Sequence, residues 1–585
     1  MDANKDLSSK GKITTDKPLK RATKILSKTV LRKRRSSYEV IEGGELPVKL
    51  NRSPGIKPED NPCDPKKWFL TKAELYQRDW QPFNCNHAYT SLNLVTPLID
   101  GESYMNALHD CLNKMQAEDY INIVGWNIAK NAKLRGRGTA TKFGDLLAGC
   151  GVKGITVRVL VNDFIPLLKA LGQLAPFSQN EEFIKSLLKM TEGFDKVEAF
   201  VDNRYILPEK GYLPVGSHHQ KAVILTAKKE CVAFVGGIDI GDDRFDSPKH
   251  FRPTQNPQRK KVYMDGWHDI QLKVQGSATQ QIWVNFVERW NDPTAPNSNE
   301  SSMHPKPINL KEMPSVKKCG RHHVQVLRTF ACPRNFGYPS FPFLNEGEQT
   351  VRAGLIKAIR RAQCYIYIED QYFWASELLD EIANTNLQVK IILVLSRDMD
   401  VPGYDGWQKQ VRADAFDKIN RSGSNRVFAY HLQHAGAESV IYVHSKLMII
   451  DDRYVSVGSA NIAYRSTTTD TELTLAVVDA QTTSEGKMGG AQQERCVFAR
   501  DLRMKLWAEH LALPEEYFDD PIDALFKYWP KYEPSQKAAR RHHVVCHYPG
   551  VRPSTGYENL KPDSLLNPEI PSYYRLPSEV ATFDE

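Results

Sequence analysis

The stretch Tyr442–Asp451 reads YVHSKLMIID, and it combines a sheet-core pattern with two reactive side chains. Its second part, Leu447–Ile450, is an apolar run typical of a buried strand. His444 and Lys446 stand two residues apart, and in a strand residues i and i+2 point to the same face. The stretch therefore predicts a strand that presents an imidazole and an ammonium group side by side.

The first half of the chain contains a second stretch of this kind, HHQKAVILT, in which His219 and Lys221 have the same spacing. The neighbouring segments repeat in order: YINIVGWNI, ITVRVLVND, FVGGIDI and WHDIQLKV correspond to YIYIEDQYF, VKIILVLSRD, SVGSANI and TELTLAVV. A helical segment precedes each set, and in the first one Met105, Leu108 and Leu112 recur at helical spacing. This alternation predicts an α/β fold of two similar lobes related by a pseudo-twofold axis, with an active site at their interface.

Shifts in composition along the chain predict five segments. They are a basic polar N-terminal arm, a first lobe, a linker rich in Pro, Asn and Ser, a second lobe and a polar C-terminal tail, at residues 1–65, 66–294, 295–318, 319–530 and 531–585. The arm carries the basic cluster Arg32–Arg35, which either attracts an anionic membrane or belongs to a solvated tail.

The bulk numbers describe a globular chain of 585 residues, with 41% apolar residues and a formal net charge of +8. The mild positive charge fits an anionic partner, and it is equally typical of an ordinary solvated surface. The N-terminus has no apolar segment of the secretory type, and no apolar run is long enough to span a bilayer. We therefore expect a soluble protein whose contact with a membrane is peripheral.

Each of the two motifs is followed by a turn of small residues, Gly236–Asp239 and Gly458–Asn461. Small residues let backbone N–H groups and short polar side chains approach an anion closely. Three residues of these turns are predicted to bind the substrate phosphate: Gly237, Ser459 and Asn461. The next strands carry Asp269 and Glu472, whose carboxylates can accept a hydrogen bond from histidine Nδ1–H and leave Nε2 free to react.

Two imidazoles and two lysines that meet at a pseudo-twofold axis suit phosphodiester cleavage. One neutral histidine attacks phosphorus and forms a covalent phosphohistidine, while the other protonates the leaving alkoxide and then deprotonates the incoming water or alcohol. Lys221 and Lys446 would stabilise charge on the non-bridging oxygens, so we expect no metal and no other cofactor. A single HxK arises easily by chance, and the joint repetition in the same order is what favours catalysis.

At these residues the chain resembles the phospholipase D superfamily, whose signature HxKxxxxD followed by a GG or GS turn occurs twice per active site. The second copy of the signature is complete: His444, Lys446, Asp451, Gly458, Ser459 and Asn461. The first copy departs from it, because Thr226 stands where an aspartate is expected. The resemblance implies a structural role for this position, and we assign structural roles to Asp239, Asp451 and Thr226.

The resemblance covers roughly residues 90–530 and implies a phospholipase D that hydrolyses glycerophospholipids at a membrane surface to phosphatidic acid and headgroup. It also implies transfer to alcohols, with His219 as nucleophile and His444 as general acid, and pseudo-symmetry leaves the reverse assignment open. Aromatic residues near the motifs either line a headgroup pocket or belong to the core: Trp126, Tyr372, Phe373 and Trp374. The alternatives are a cardiolipin synthase-like phosphatidyl transferase, a nucleic-acid phosphodiesterase and a membrane scaffold with an inactive site. We expect no nucleic-acid partner, and the oligomeric state stays open. The resemblance leaves two expected locations, the cytoplasm or export as an effector without a signal peptide.

Overall fold

The structure is a computed structural model. It describes residues 61–75, 88–135, 142–163, 179–202, 204–205, 216–228, 230–241, 243–250, 264–292, 305–331, 341–397, 405–420, 426–434, 440–529 and 543–547. The predicted basic arm up to residue 60 and most of the predicted C-terminal tail lie outside these ranges. Among the described helices, none is both long enough and apolar enough to cross a bilayer.

The first half of the chain has eight strands among its described residues, and seven of them build one mixed sheet. Its strands are β1 (Thr90–Ile99), β2 (Tyr120–Gly125), β3 (Thr156–Asn162), β4 (Val197–Asp202), β5 (Ala222–Ala227), β6 (Glu230–Gly236), β7 (Met264–His268) and β8 (Ile270–Gln275). All except β7 form one sheet in the spatial order β4-β3-β2-β5-β6-β8-β1. β2, β3 and β4 run parallel to one another, and the remaining pairs are antiparallel.

The second half repeats this sheet. Its strands are β9 (His322–Phe330), β10 (Glu348–Gln349), β11 (Tyr365–Asp370), β12 (Lys390–Leu395), β13 (Val427–His434), β14 (Val440–Val443), β15 (Lys446–Ile450), β16 (Tyr454–Gly458) and β17 (Glu472–Asp479). Seven of them follow the order β13-β12-β11-β15-β16-β17-β9, which matches the first sheet strand for strand. The predicted α/β class with two similar lobes is therefore confirmed.

Short strands and helices complete the fold. The strands are β18 (Thr482–Thr483), β19 (Lys487–Met488), β20 (Ala491–Gln492), β21 (Arg495–Cys496) and β22 (His543–His547). The helices are α1 (Pro65–Trp68), α2 (Asp100–Leu112), α3 (Phe143–Val152), α4 (Gln179–Met190), α5 (Ala278–Trp290), α6 (Thr350–Ile359), α7 (Ser376–Asn384), α8 (Asp405–Asn420), α9 (Tyr464–Thr468), α10 (Val497–Leu511) and α11 (Pro521–Tyr528). The apolar face predicted for α2 is buried: Met105, Leu108 and Leu112.

The two faces of the first sheet pack into different cores, because side chains alternate along a strand. Ile121 and Ile123 of β2 pack with α2, α3 and α4 in a core of the first lobe. Val124 of β2, Leu160 of β3 and Ile224 of β5 belong to a larger core shared with the second sheet. Parallel strands covered on both faces are typical of α/β folds.

The segment around α1 contacts the second half of the chain. Trp68 stacks on Tyr454 with ring centroids 5.6 Å apart, and Leu70 N–H donates to Gln325 Oε1 at 2.9 Å. Near the other end of the chain, β22 pairs antiparallel with β13. The predicted division at residues 66, 294, 319 and 530 stays a prediction.

Candidate active site

The first motif lies just before a strand rather than within it. β5 begins at Ala222, so His219 and Lys221 precede the strand that was predicted to contain them. The cause is a competing partner: His219 N–H donates to Thr471 O and Thr471 N–H donates to Ser217 O, both at 2.9 Å. The backbone of this segment is thus paired with the second lobe.

The second motif is held in the equivalent way. His444 lies between β14 and β15, and its N–H donates to His268 O at 2.8 Å. β14 itself pairs parallel with β7 of the first half. Each motif histidine therefore binds, through its backbone, the residue that precedes the acid of the other lobe.

The two acids are exchanged between the lobes. Nδ1 of His219 lies 3.0 and 3.1 Å from the carboxylate oxygens of Glu472. Nδ1 of His444 lies 2.6 Å from Oδ2 of Asp269. Each motif histidine thus has a carboxylate at Nδ1, as the sequence predicts, but the acid comes from the other lobe, so each pair joins one lobe to the other.

Burial and neighbouring charge set the protonation of these pairs. Burial lowers the pKa of both imidazoles well below its usual value, and Lys221 and Lys446 lower the pKa of His219 further. Burial raises the pKa of Asp269 and of Glu472 to about 7. The charge of Lys446 lowers the pKa of His219, and the charge of Lys221 lowers the pKa of His444. The two copies of the motif therefore lie within electrostatic reach of each other.

The two motif lysines have different partners. Lys221 Nζ lies 3.4 Å from Asp239 Oδ2 and 5.2 Å from the centre of the Trp126 ring. Lys446 Nζ donates instead to Gln371 Oε1 at 3.3 Å, so its direct side-chain partner is a neutral amide. Burial lowers the pKa of both ammonium groups, that of Lys446 to about 8.

The small-residue turns bring backbone close to the acids. A Cβ on Gly237 would lie 2.2 Å from Oδ1 of Asp269, so only glycine fits there. At the equivalent position Ser459 donates its hydroxyl to Glu472 Oε2 at 2.5 Å. Asn461 is buried, and its Oδ1 has no hydrogen-bond partner among the described residues. The phosphate-binding roles of these three residues stay a prediction.

Gly237→Ala is expected to lower kcat by about 10²-fold, because the new methyl group must displace the Asp269 carboxylate that holds His444. Steady-state kinetics would measure this effect. Gly149→Ala is a matched control in α3, where an added Cβ meets no atom within 4 Å. A Gly237→Ala enzyme as active as the Gly149→Ala enzyme would contradict the tight approach.

The last position of the signature is Asp451 in the second copy and Thr226 in the first, and the two residues have different contacts. Asp451 is buried and accepts hydrogen bonds from the backbone N–H groups of Gln363, Cys364 and Tyr365 at 2.7, 2.8 and 2.8 Å. It therefore organises the start of β11, and it follows β15 at the end of that strand opposite to His444. Thr226 contacts only Cys231 Sγ, at 3.7 Å, among the side-chain contacts described for it.

Asp451→Ala is expected to destabilise the protein by about 3 kcal/mol, because it leaves buried N–H donors unsatisfied. Thr226→Val is the control at the equivalent position, with an expected change within about 0.5 kcal/mol. Urea unfolding would measure both values. Equal unfolding midpoints for the two variants would show that Asp451 has no capping role.

Two family models match the chain. One, described as Phospholipase D, matches residues 113–393, and the other, described as Cardiolipin synthase, PLD-like domain, matches residues 355–487. The chain belongs to the phospholipase D superfamily. Between them the two matches include both histidines, both lysines and both acids of the site.

Known phospholipases D of Arabidopsis thaliana are similar to this superfamily member. It is 25% identical to Phospholipase D beta 2 over 71% of this chain and 57% of that protein. It is 28% identical to Phospholipase D gamma 1 over 69% of this chain and 61% of that protein. The chain therefore spans somewhat more than half the length of these relatives. The crystal structure of phosphatidylserine synthase from Haemophilus influenzae Rd KW20 aligns with a TM-score of 0.42 and 14% identity, over 66% of this chain and 82% of that one.

A cluster of ionisable side chains, most of them buried, lies next to His444. It consists of Asp100, His250, His268, Glu369, Glu509 and His510. His268, whose carbonyl binds His444, has Nε2 at 2.9 Å from Glu369 and Nδ1 at 3.1 Å from Glu509. Although burial alone would lower it, neighbouring carboxylates raise the pKa of His268 well above its usual value. Imidazole and carboxylate groups of this kind can hold a divalent cation, and here they bind one another.

Several residues of the site have no counterpart in the sequence predictions. Gln371 is one, and it follows the strand segment YIYIED directly. Another is Arg244, whose guanidinium carbon lies 3.5 Å from the centre of the Trp267 ring, which in turn packs edge-on against His444. Arg244 follows the FVGGIDI repeat in the sequence. The spacing of that repeat does not reveal that this arginine stacks on Trp267.

The aromatic residues predicted near the headgroup divide into two pairs. Phe373 is buried in the larger core, and Trp374 is buried in a small separate cluster where it stacks on Tyr372. Trp126 and Tyr372 are partly exposed, and Trp126 packs edge-on against His219 with ring centroids 5.6 Å apart. Trp126 is thus the member of the set that contacts the site directly.

Proposed function

We propose that this superfamily member is a phospholipase D that hydrolyses the distal phosphodiester of glycerophospholipids at a membrane surface. One observation carries the proposal: two buried imidazoles, each bound at Nδ1 by a carboxylate of the opposite lobe, lie within electrostatic reach of two buried lysines. Such a constellation supplies a nucleophile, an acid and positive charge for a phosphodiester.

The first step forms a covalent phosphohistidine. Nε2 of His219 attacks phosphorus, the bond from phosphorus to the headgroup oxygen breaks, and Nε2–H of His444 gives its proton to that oxygen. The greater exposure of the His219 side chain, 13% against 5% for His444, supports this assignment of roles. Lys221 and Lys446 neutralise the charge that builds up on the non-bridging oxygens.

The second step releases the product. His444 Nε2 takes a proton from water, whose oxygen attacks phosphorus, and the bond to His219 breaks to give phosphatidic acid. A primary alcohol can replace the water and gives a phosphatidyl alcohol. The same group thus acts first as acid and then as base.

The reaction needs one proton more on the His444–Asp269 pair than on the His219–Glu472 pair. The buried acids of both pairs have a pKa raised to about 7, and such protons belong to each pair rather than to one atom. Below this pH the His219–Glu472 pair gains a proton and loses its lone pair for attack. Above it the His444–Asp269 pair loses the proton that the leaving group needs.

The pH profile of kcat/KM is therefore expected to be bell-shaped with its maximum within about one unit of pH 7. A substrate with an uncharged headgroup, such as phosphatidylglycerol, keeps headgroup titration out of the measurement. A rate that does not change between about pH 5 and pH 9 would contradict the proton assignment.

The direct experiment uses mixed vesicles of phosphatidylcholine, phosphatidylethanolamine and phosphatidylglycerol with ethanol. The proposal predicts phosphatidic acid and phosphatidylethanol, and neither product with His219→Ala or His444→Ala. Intact lipid together with cleaved oligonucleotides would overturn it in favour of a nuclease.

A second candidate is a cardiolipin synthase-like phosphatidyl transferase, favoured by the family model that matches residues 355–487. It has the same chemistry and a lipid alcohol as acceptor. Vesicles of phosphatidylglycerol alone separate the two, since the transferase would form cardiolipin and glycerol while the phospholipase would form phosphatidic acid.

A further inference from the structure

The first motif begins with two consecutive histidines, and only the second of them belongs to the proposed catalytic pairs. In the stretch HHQK the residues alternate in direction. His219 and Lys221 point toward the site, whereas His218 and Gln220 are buried on the other side of the segment. His218 is a buried titratable side chain that the chemistry of the proposed reaction does not use.

His218 and Gln220 both contact the strand start that carries Glu472. Nδ1 of His218 lies 3.1 Å from the hydroxyl of Thr471, the residue before Glu472. Gln220 Nε2 donates to the backbone carbonyl of Glu472 at 3.2 Å. Glu472 is therefore held at its side chain by His219 and at its backbone carbonyl by Gln220, while His218 holds the residue before it.

A buried polar network fixes His218 in turn. Nε2 of His218 lies 2.9 Å from Oδ1 of Asp202, at the end of β4. Arg289 of α5 donates to Asp202 Oδ2 at 2.9 Å and to Gln220 Oε1 at 3.2 Å. A proton on Nε2 of His218, next to the Asp202 carboxylate, makes Nδ1 the acceptor for the hydroxyl of Thr471.

The second motif has no comparable side chain. The residue before His444 is the apolar Val443. The strand start that carries Asp269 is held through His268, which belongs to the ionisable cluster described above. The hydrogen bond between a histidine and a threonine next to the pair is thus specific to His219–Glu472.

We propose that His218 is a positioning residue, which holds Thr471 in place so that the Glu472 carboxylate stays at Nδ1 of His219. The inference rests on the proposed function only where its test measures turnover of phospholipid, because the hydrogen bond itself can be observed in a crystal structure without turnover. Its effect on the reaction is indirect, because His218 contacts neither the lysines nor the site of attack.

The test uses His218→Leu, Thr471→Val and the double variant, each assayed on phosphatidylcholine vesicles. Thr471→Val removes one hydroxyl and keeps the shape, so it remains informative if His218→Leu fails to fold. Each single change is expected to lower kcat by about 10- to 100-fold, with KM within about threefold, since a small misplacement of a catalytic group costs this much. The double variant is expected to lose less than the product of the two single factors, because both changes break the hydrogen bond between His218 and Thr471, although Thr471 also contacts the hydroxyl of Tyr205 at 3.0 Å.

The matched control is Thr474→Val, which lies in β17 three residues after Thr471. Thr474 is equally buried, and its hydroxyl has no hydrogen-bond partner among the described residues. Its kcat should match that of the wild type within about twofold. The inference fails if Thr471→Val is as active as Thr474→Val, or if the double variant loses the product of the two single factors.

Crystal structures of the wild-type and Thr471→Val proteins give a readout that needs no turnover. The distance from His219 Nδ1 to the Glu472 carboxylate, 3.0 Å here, should exceed hydrogen-bonding range in the variant. An unchanged distance overturns the inference even if phospholipid is turned over. If the wild-type protein cleaves no phospholipid, the proposed function fails, and the distance alone decides on His218.

Discussion

His219→Ala and His444→Ala are each expected to lower phospholipid turnover by about 10³- to 10⁵-fold, the largest effects of any single substitutions in the chain. The first removes the atom that bonds to phosphorus, and the second removes the group that protonates the leaving oxygen. Because the two act in one reaction, the double variant should be hardly slower than either single variant. Release of radiolabelled headgroup from vesicles measures all three.

His109→Ala is the control for these substitutions. His109 lies on α2, and its ring contacts Asn113 and Asp110, away from both motifs. It should leave turnover unchanged. Residual activity above one per cent of wild type in either motif variant would show that the missing imidazole is not part of the chemistry.

Glu472→Gln is expected to separate activity from stability. An amide that donates to Nδ1 of His219 places the imidazole proton on Nε2, so the lone pair needed for attack is lost. A comparable exchange of tautomer in a serine-protease triad costs about 10⁴-fold in kcat, and we expect a loss of this size. The hydroxyl of Ser459 can still donate to the amide oxygen, so the fold should remain intact.

The same substitution should make the protein more stable at alkaline pH. Burial raises the pKa of Glu472 from its usual 4.5 to about 7, so between these values the folded state binds more protons than the unfolded state. Its contribution to stability therefore falls as pH rises through this window, by about 3 kcal/mol in total. Glutamine has no charge to bury and avoids this loss.

Thermal unfolding at several pH values measures the difference. The Glu472→Gln protein should have a higher Tm than the wild type at pH 8, and the two should converge toward pH 4.5. A lower Tm at pH 8 together with full activity would contradict both the buried charge of Glu472 and its pairing with His219.

The two lobes and the set of candidate site residues could be inferred from the sequence because the chain repeats itself. The paired HxK stretches, the small-residue turns and the acids at 269 and 472 recur in one order, and the strand order of the two sheets follows that repeat. A periodic pattern reports which face a residue occupies, so it also placed Met105, Leu108 and Leu112 of α2 correctly in the core.

The exchange of acids between the lobes was not predictable from that pattern. His219 and Glu472 are 253 positions apart, and the contact arises because the backbone before β5 pairs with Thr471 rather than continuing the pairing with β2. Local spacing carries no information on such long-range pairing. The same holds for Gln371, which resembles an ordinary strand-end residue until Lys446 is seen to bind it.

Trapping the covalent intermediate tests the central claim most directly. With a phospholipid whose headgroup is nitrophenol, a leaving group that needs no proton, the His444→Ala protein should release one nitrophenolate per protein molecule and then stall. Mass spectrometry should find the phosphatidyl group on the peptide that contains His219, and the His219→Ala protein should show no burst. A phosphatidyl group on His444, or turnover without any histidine adduct, would contradict the account.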